Sequence, residues 1–222
     1  MIPALEALQR LREGNRRFVD GMRSGVIHSD DVARSVLLQS QSPIAVVLGC
    51  SDSRVPVELV FNQGFGDLFV IRVAGNIVAP SQIGSIEFAA EKFGTKLVVV
   101  LGHTGCGAIE ATLDQLQRAT VERSRNLQGI VDRIRPAVAG LMHTELRDNR
   151  ELLRKVAGRT NVSMSANFLR HGSMIIEQMI ADGELLVVGA EYSLETGVVE
   201  FFDGVPGNEQ ASKEPASRPA SG

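Results

Sequence analysis

Ile44-Ala45-Val46-Val47-Leu48-Gly49-Cys50-Ser51-Asp52-Ser53-Arg54-Val55-Pro56 runs from a wholly apolar segment straight into a charged one. The first five residues are rich in β-branched side chains and do not alternate with polar ones, which is the pattern of a strand buried on both faces of a parallel sheet. A thiol, a carboxylate and a guanidinium then follow on alternate residues. Each would cost several kcal/mol if buried without a partner, so a loop of this composition at the end of a core strand needs other groups to neutralise it. Pro56 stands at a permitted first-turn position and opens a short helical pattern over 56–61.

The same strand pattern returns at Leu68–Ile71, Leu97–Leu101 and Leu185–Val188. Helical periodicity lies between them, with Ser81 to Phe93 ended by Gly94. Strand, helix, strand, helix predicts an α/β fold with a mainly parallel central sheet, flanking helices and right-handed crossovers. Turn residues from Tyr192 to Gly197 precede Val198-Val199-Glu200-Phe201-Phe202, which predicts an antiparallel edge strand near the C-terminus.

Upstream, Leu5, Leu8, Leu11 and Phe18 recur at near-helical spacing from Pro3 to Asp20, predicting an amphipathic N-terminal helix closed by Gly21. A short helix is expected around Val32 to Leu38. Between Ala108 and Ala181 the pattern is of several helices broken near Pro136 and Gly158, the last running from Asn161 to Ile180. Residues 1–205 read as one domain. The remaining 206–222 are Ser, Pro, Ala, Gly and charge, too poor in apolar residues to offset ordering entropy, and read as a disordered tail.

A chain of 222 residues with 44% apolar content has enough material for one sizeable core. The net charge of −3, with arginines scattered among acids, argues against a nucleic-acid partner. The N-terminus shows neither a cationic leader with an apolar stretch nor a spanning segment, so no membrane partner and a cytoplasmic location are expected. The phosphate-loop and dinucleotide glycine patterns are both missing, which disfavours a nucleotide-binding module.

The second of the chain's two cysteines, Cys106, lies in Gly102-His103-Thr104-Gly105-Cys106-Gly107, another polar loop directly after a buried strand. In open α/β sheets the carboxyl ends of the strands form the edge where ligands bind. A lone cysteine at such a position is more often a small core residue than a ligand. Both cysteines, with a histidine three residues before one of them, make a metal site the better reading. Thiolate and imidazole are ligand types that zinc favours, and Cys50, His103 and Cys106 leave one tetrahedral position open. Arg54 would keep Asp52 ionised, and Asp52 would either orient a metal-bound hydroxide or ligate the metal as a fourth ligand in a closed state.

Cys50-x-Asp52-x-Arg54 followed by His103-x-x-Cys106 resembles the β-class carbonic anhydrases. The likeness extends to Leu11-Arg12-Glu13-Gly14-Asn15, Arg72-Val73-Ala74-Gly75-Asn76, Gly84-Ser85-Ile86-Glu87-Phe88 and Gly189-Ala190-Glu191-Tyr192. The resemblance implies one Zn2+ per subunit held by Cys50, His103 and Cys106, with Asp52 and Arg54 as the catalytic dyad. It implies reversible hydration of carbon dioxide to bicarbonate and a proton by zinc-bound hydroxide. It further implies that Gln41 hydrogen-bonds bicarbonate from a neighbouring subunit, that the Gly107 N–H binds a substrate oxygen, and that Phe69, Ala74 and Phe88 line a small apolar pocket. Plant-type members often carry tyrosine at the position of Phe88 and valine at that of Ala74. The assembly expected is a homodimer or a dimer of dimers. In one branch of the family the aspartate ligates zinc, and that branch has a tryptophan three residues before the first cysteine; Val47 stands there in this chain, which has no tryptophan, and with Gln41 present the open site is favoured. A carbonyl sulfide or carbon disulfide hydrolase on the same zinc, and a non-catalytic zinc or redox sensor, are the alternatives.

Overall fold

The computed structural model describes residues 1–24, 40–117 and 124–207. The helix expected around Val32 to Leu38, and all of the expected tail except Pro206 and Gly207, lie outside the described residues.

Five strands among them form one sheet: β1 (Ala45–Gly49), β2 (Leu68–Arg72), β3 (Leu97–His103), β4 (Leu186–Tyr192) and β5 (Val199–Asp203), in the order β2-β1-β3-β4-β5. The first four run parallel, and β5 returns antiparallel to β4 at the edge. All residues of β1 and β3 are buried, as continuous apolar runs require. Alternate side chains feed two layers. Ala45, Val47, Leu97, Val99 and Leu101 pack with Ala7, Leu8 and Leu11 of α1 (Ala4–Ser24) and with Phe61, which follows the single turn α2 (Val57–Val60). Val46, Leu48, Val98 and Val100 face α3 (Pro80–Phe93), α6 (Arg150–His171) and α7 (Met174–Ala181). A third cluster sits at the carboxyl ends of the strands, where Cys50 and Cys106 pack with residues of α4 (Gly107–Gln117), α5 (Arg125–Val138) and α6.

Gly94 ends α3 as expected, in the left-handed region at φ 62°. Three helix boundaries differ from the sequence expectation. α1 is not closed by Gly21 but continues to Ser24, since a glycine that keeps helical backbone costs only about 1 kcal/mol. The break expected near Pro136 is present: α5 ends at Val138, two residues on, with Pro136 itself inside the last turn, where burial of Ile134, Ala137 and Val138 offsets one missing backbone bond. Gly158 likewise lies within α6, whose long buried face overrides its propensity. The break comes instead at Gly172-Ser173, inside the segment expected as one helix. There the Ser173 hydroxyl caps α7 by accepting from the Ile176 N–H at 3.3 Å. Strand β3 also runs further than expected and takes Gly102 and His103 into the sheet, opposite Glu191 and Tyr192. No helix among the described residues is long and apolar enough to cross a membrane.

Candidate metal centre

Strand β1 has β2 on one side and β3 on the other, so the chain leaves β1 in one direction and returns on its other flank. That reversal opens a crevice at the carboxyl ends of β1 and β3. Cys50 is the first residue past β1, His103 is the last of β3, and Cys106 immediately precedes α4. Their ligand atoms lie within 4.8 Å of one another, all three residues buried. The two sulfurs are 3.9 Å apart and the cysteines are free.

The His103 ring is set in one tautomer. Nδ1–H donates to the Thr104 carbonyl at 3.0 Å, which leaves a lone pair on Nε2. That atom is buried and has no hydrogen-bond partner, an expensive state for a polar nitrogen and the state of a metal ligand whose other nitrogen is held by the backbone. Thr104 is itself fixed, its N–H donating to the Tyr192 carbonyl at 3.0 Å and its hydroxyl accepting from the Leu194 N–H at 3.0 Å.

Before any metal binds, the thiols share a proton unequally. A hydrogen bond from Cys106 is the main cause pulling the Cys50 thiol down to about 4, with the Gly75 N–H adding to it against the cost of burial. Cys106 is pushed up, first by that same bond and then by burial. A buried thiolate, a second thiol beside it and an unpartnered imidazole nitrogen form a soft donor set of the kind zinc takes. The residues present therefore fit a zinc ion.

Asp52 stands beside this set, its Oδ2 3.8 Å from His103 Nε2. Arg54 engages both carboxylate oxygens: Nε donates to Oδ1 at 2.9 Å, Nη2 to Oδ2 at 2.7 Å, and the backbone N–H to Oδ1 at 3.0 Å. These bonds hold the carboxyl well below the usual carboxylate range. Arg54 Nη2 also donates to the Gly105 carbonyl at 3.2 Å, tying the two ligand loops together. Gly107 is the first residue of α4, where backbone N–H groups lack intrahelical acceptors and face the positive end of the helix dipole.

The remaining expected residues are more dispersed. Ala74 lies half-buried in the 3-10 turn Ala74–Asn76. Phe69 of β2 packs on Phe88 and Phe93 of α3, with ring centroids 6.3 and 6.1 Å away, and Phe88 is 51% exposed. Gln41 is exposed ahead of β1.

Three residues that reach the site through backbone were not singled out from the sequence. Arg72 donates from Nε to the Cys50 carbonyl at 2.9 Å and from Nη2 to the Asp52 carbonyl at 2.6 Å. Thr104 orients His103, and Asn161 binds the Gly75 carbonyl at 2.9 Å. The one available signal was a polar residue on an otherwise apolar helix face, as at Asn161.

Comparison with known proteins finds one family. The family described as Carbonic anhydrase matches residues 45–199. The chain is 37% identical over 196 residues to Carbonic anhydrase 2 of Mycobacterium tuberculosis, covering 86% of this chain and 89% of the relative. It is 38% identical over 202 residues to a carbonic anhydrase of Mycolicibacterium smegmatis, covering 88% and 91% respectively. Among solved structures, the β-carbonic anhydrase CafA of Aspergillus fumigatus superposes with a TM-score of 0.67 at 25% identity, over 92% of each chain. One from Sordaria macrospora, described as tetrameric, gives 0.67 at 25% identity over 82% of this chain and 92% of that one.

Proposed function

Because this chain belongs to the carbonic anhydrase family, in its β class, we propose that it hydrates carbon dioxide reversibly to bicarbonate and a proton with one zinc ion held by Cys50, His103 and Cys106. The observation that carries the reading is the buried, unpartnered Nε2 of His103 within 4.8 Å of two free cysteine sulfurs. Zinc bound there would act as a Lewis acid on water, lowering a pKa of about 15.7 toward about 7 as in the three-histidine carbonic anhydrases from which that magnitude comes, and less strongly here because two thiolates cancel its charge.

The chain's own residues do the rest. Arg54 keeps Asp52 ionised and turned toward itself, so the carboxylate would be available to accept from water and would not be needed as a ligand of a zinc ion held by Cys50, His103 and Cys106. Asp52 Oδ2, 3.8 Å from His103 Nε2, accepts a hydrogen bond from the attacking water and aims its lone pair at the carbon of carbon dioxide. The Gly107 N–H, at the positive end of α4, donates to the oxygen that gains charge as bicarbonate forms. Phe69, Ala74 and Phe88 give the substrate an apolar surface, and Gln41 donates to bicarbonate across a subunit boundary.

That last role requires a homodimer or a dimer of dimers. The exposure of Phe88 and the tetrameric relative from Sordaria macrospora support such an assembly. The free state of both cysteines supports a reducing, cytoplasmic setting. A stopped-flow hydration assay on protein of measured zinc content, before and after a chelator, tests the reading: activity follows zinc if it holds. Zinc-loaded protein without activity refutes it.

A further inference from the structure

We infer that Asn161 is a positioning residue for the metal centre, acting on Cys50 through the backbone of Gly75. The inference rests on the reading that Cys50, His103 and Cys106 hold zinc.

Asn161 lies on the buried face of α6 among Ala157, Val162 and Ala166, and is 2% exposed. An amide in such surroundings is unfavourable unless its polar atoms are bonded. Its Nδ2 donates to the Gly75 carbonyl at 2.9 Å. The N–H of the same glycine donates to Cys50 Sγ at 3.3 Å. One residue thus has its carbonyl pinned by α6 and its amide aimed at a ligand sulfur.

The turn that carries Gly75 needs such a pin. Gly75 and Asn76 sit consecutively in the left-handed region, at φ 69° and 43°, which these two residue types enter at little steric cost, so the direction of the Gly75 N–H is set by what the turn is bonded to and packed against. Packing closes the other side: a Cβ on Gly75 would lie 2.8 Å from Ile134 Cδ1 and 3.1 Å from Ala108 Cβ. The glycine is therefore wedged against α4 and α5 and drawn by a hydrogen bond toward α6, and its N–H direction follows. A hydrogen bond to a ligating sulfur stabilises the sulfur lone pairs and fixes their orientation. Loss of a partner bonded directly to a ligand typically lowers metal affinity about 10- to 100-fold, which bounds from above the effect of Asn161, one residue further out.

The test compares the zinc-loaded wild type with Asn161→Ala and with Leu169→Ala, a buried position on the same helix whose packing layer does not include the ligands. Zinc release into excess chelator is expected to be faster in Asn161→Ala, by up to the roughly 10- to 100-fold found for direct partners of a ligand, and within about twofold of wild type in Leu169→Ala. In the cobalt-substituted proteins, the thiolate-to-cobalt charge-transfer band shifts to longer wavelength in Asn161→Ala alone, because a sulfur whose Gly75 N–H donor is no longer aimed at it gives up electrons more readily. Asn161→Asp, of the same shape but without the donor, serves if the alanine variant does not fold. Equal zinc release from both helix variants with an unmoved band overturns the inference and reduces Asn161 to a packing residue. A zinc-loaded wild type without hydration activity refutes the proposed function but not this inference, whereas a chain that takes up no zinc refutes both.

Discussion

Replacing Asp52 by asparagine separates the chemistry of the site from its assembly. The carboxylate accepts three hydrogen bonds from Arg54, at 2.9, 2.7 and 3.0 Å. An asparagine of the same shape keeps one acceptor oxygen and turns an amide either toward the guanidinium, donor against donor, or toward the attacking water. In the first case the side chain loses the contact that holds it in place, and in the second the acceptor that orients the water is gone. Positioned acid–base groups of this kind contribute about 10²- to 10⁴-fold, or about 2.7–5.4 kcal/mol of barrier at 1.36 kcal/mol per tenfold. The stability effect should be far smaller: Arg54 is more than half exposed, and exposed pairs are worth about 0–1 kcal/mol. None of the three expected ligands is altered. Stopped-flow hydration rates and metal analysis on the same preparations should therefore show full zinc, a melting temperature within a few degrees of wild type and kcat/KM lower by at least about 100-fold. A fully active, zinc-loaded Asp52→Asn protein would refute the dyad.

Other outcomes follow from single contacts. Cys50→Ser and Cys106→Ser should each lose zinc on gel filtration against a mild chelator; retention of one zinc per chain in either would remove that sulfur from the ligand set. Gly14→Ala should destabilise the protein although alanine favours helix by about 1 kcal/mol, because its Cβ would fall 1.8 Å from the Phe61 carbonyl oxygen, and a raised melting temperature would contradict the packing of α1. Burial is the main cause raising the Glu191 carboxyl, reinforced by Glu200 and opposed by Arg159, Lys155 and His103. The folded protein therefore holds this proton more tightly than the unfolded chain and loses stability as pH rises past the unfolded value, so Glu191→Gln should raise the melting temperature at pH 8 and not at pH 4. Hydration rate should rise with pH above about 7, carbon dioxide should react faster than carbonyl sulfide, and a rate flat from mildly acidic to alkaline pH would exclude the titrating water.

The features legible in the sequence were those with only one physical solution. Val46 to Leu48 and Val98 to Val100 are continuous apolar runs that only a sheet covered on both faces can bury, so β1 and β3 could be placed to within two residues. Cys50, His103 and Cys106 could be joined because both loops follow such strands. The misread features depended on burial that has no local signature. Gly158 looks like a helix breaker, yet it lies in a helix whose buried face outweighs its propensity. Ser173, by contrast, follows Arg170-His171-Gly172, basic residues and a glycine of the kind that end helices, and its spacing to Ile176 is that of a cap, so this break was legible and was missed. Arg72 and Asn161 act on backbone carbonyls 20 or more residues away, and a backbone acceptor has no residue type to recognise.

Titrating zinc into chelator-stripped protein while following carbon dioxide hydration tests the zinc centre most directly. The rate should climb from the uncatalysed baseline in proportion to zinc bound and level off at one zinc per chain. A rate that is already high without zinc, or that stays at baseline when one zinc per chain is bound, would contradict it.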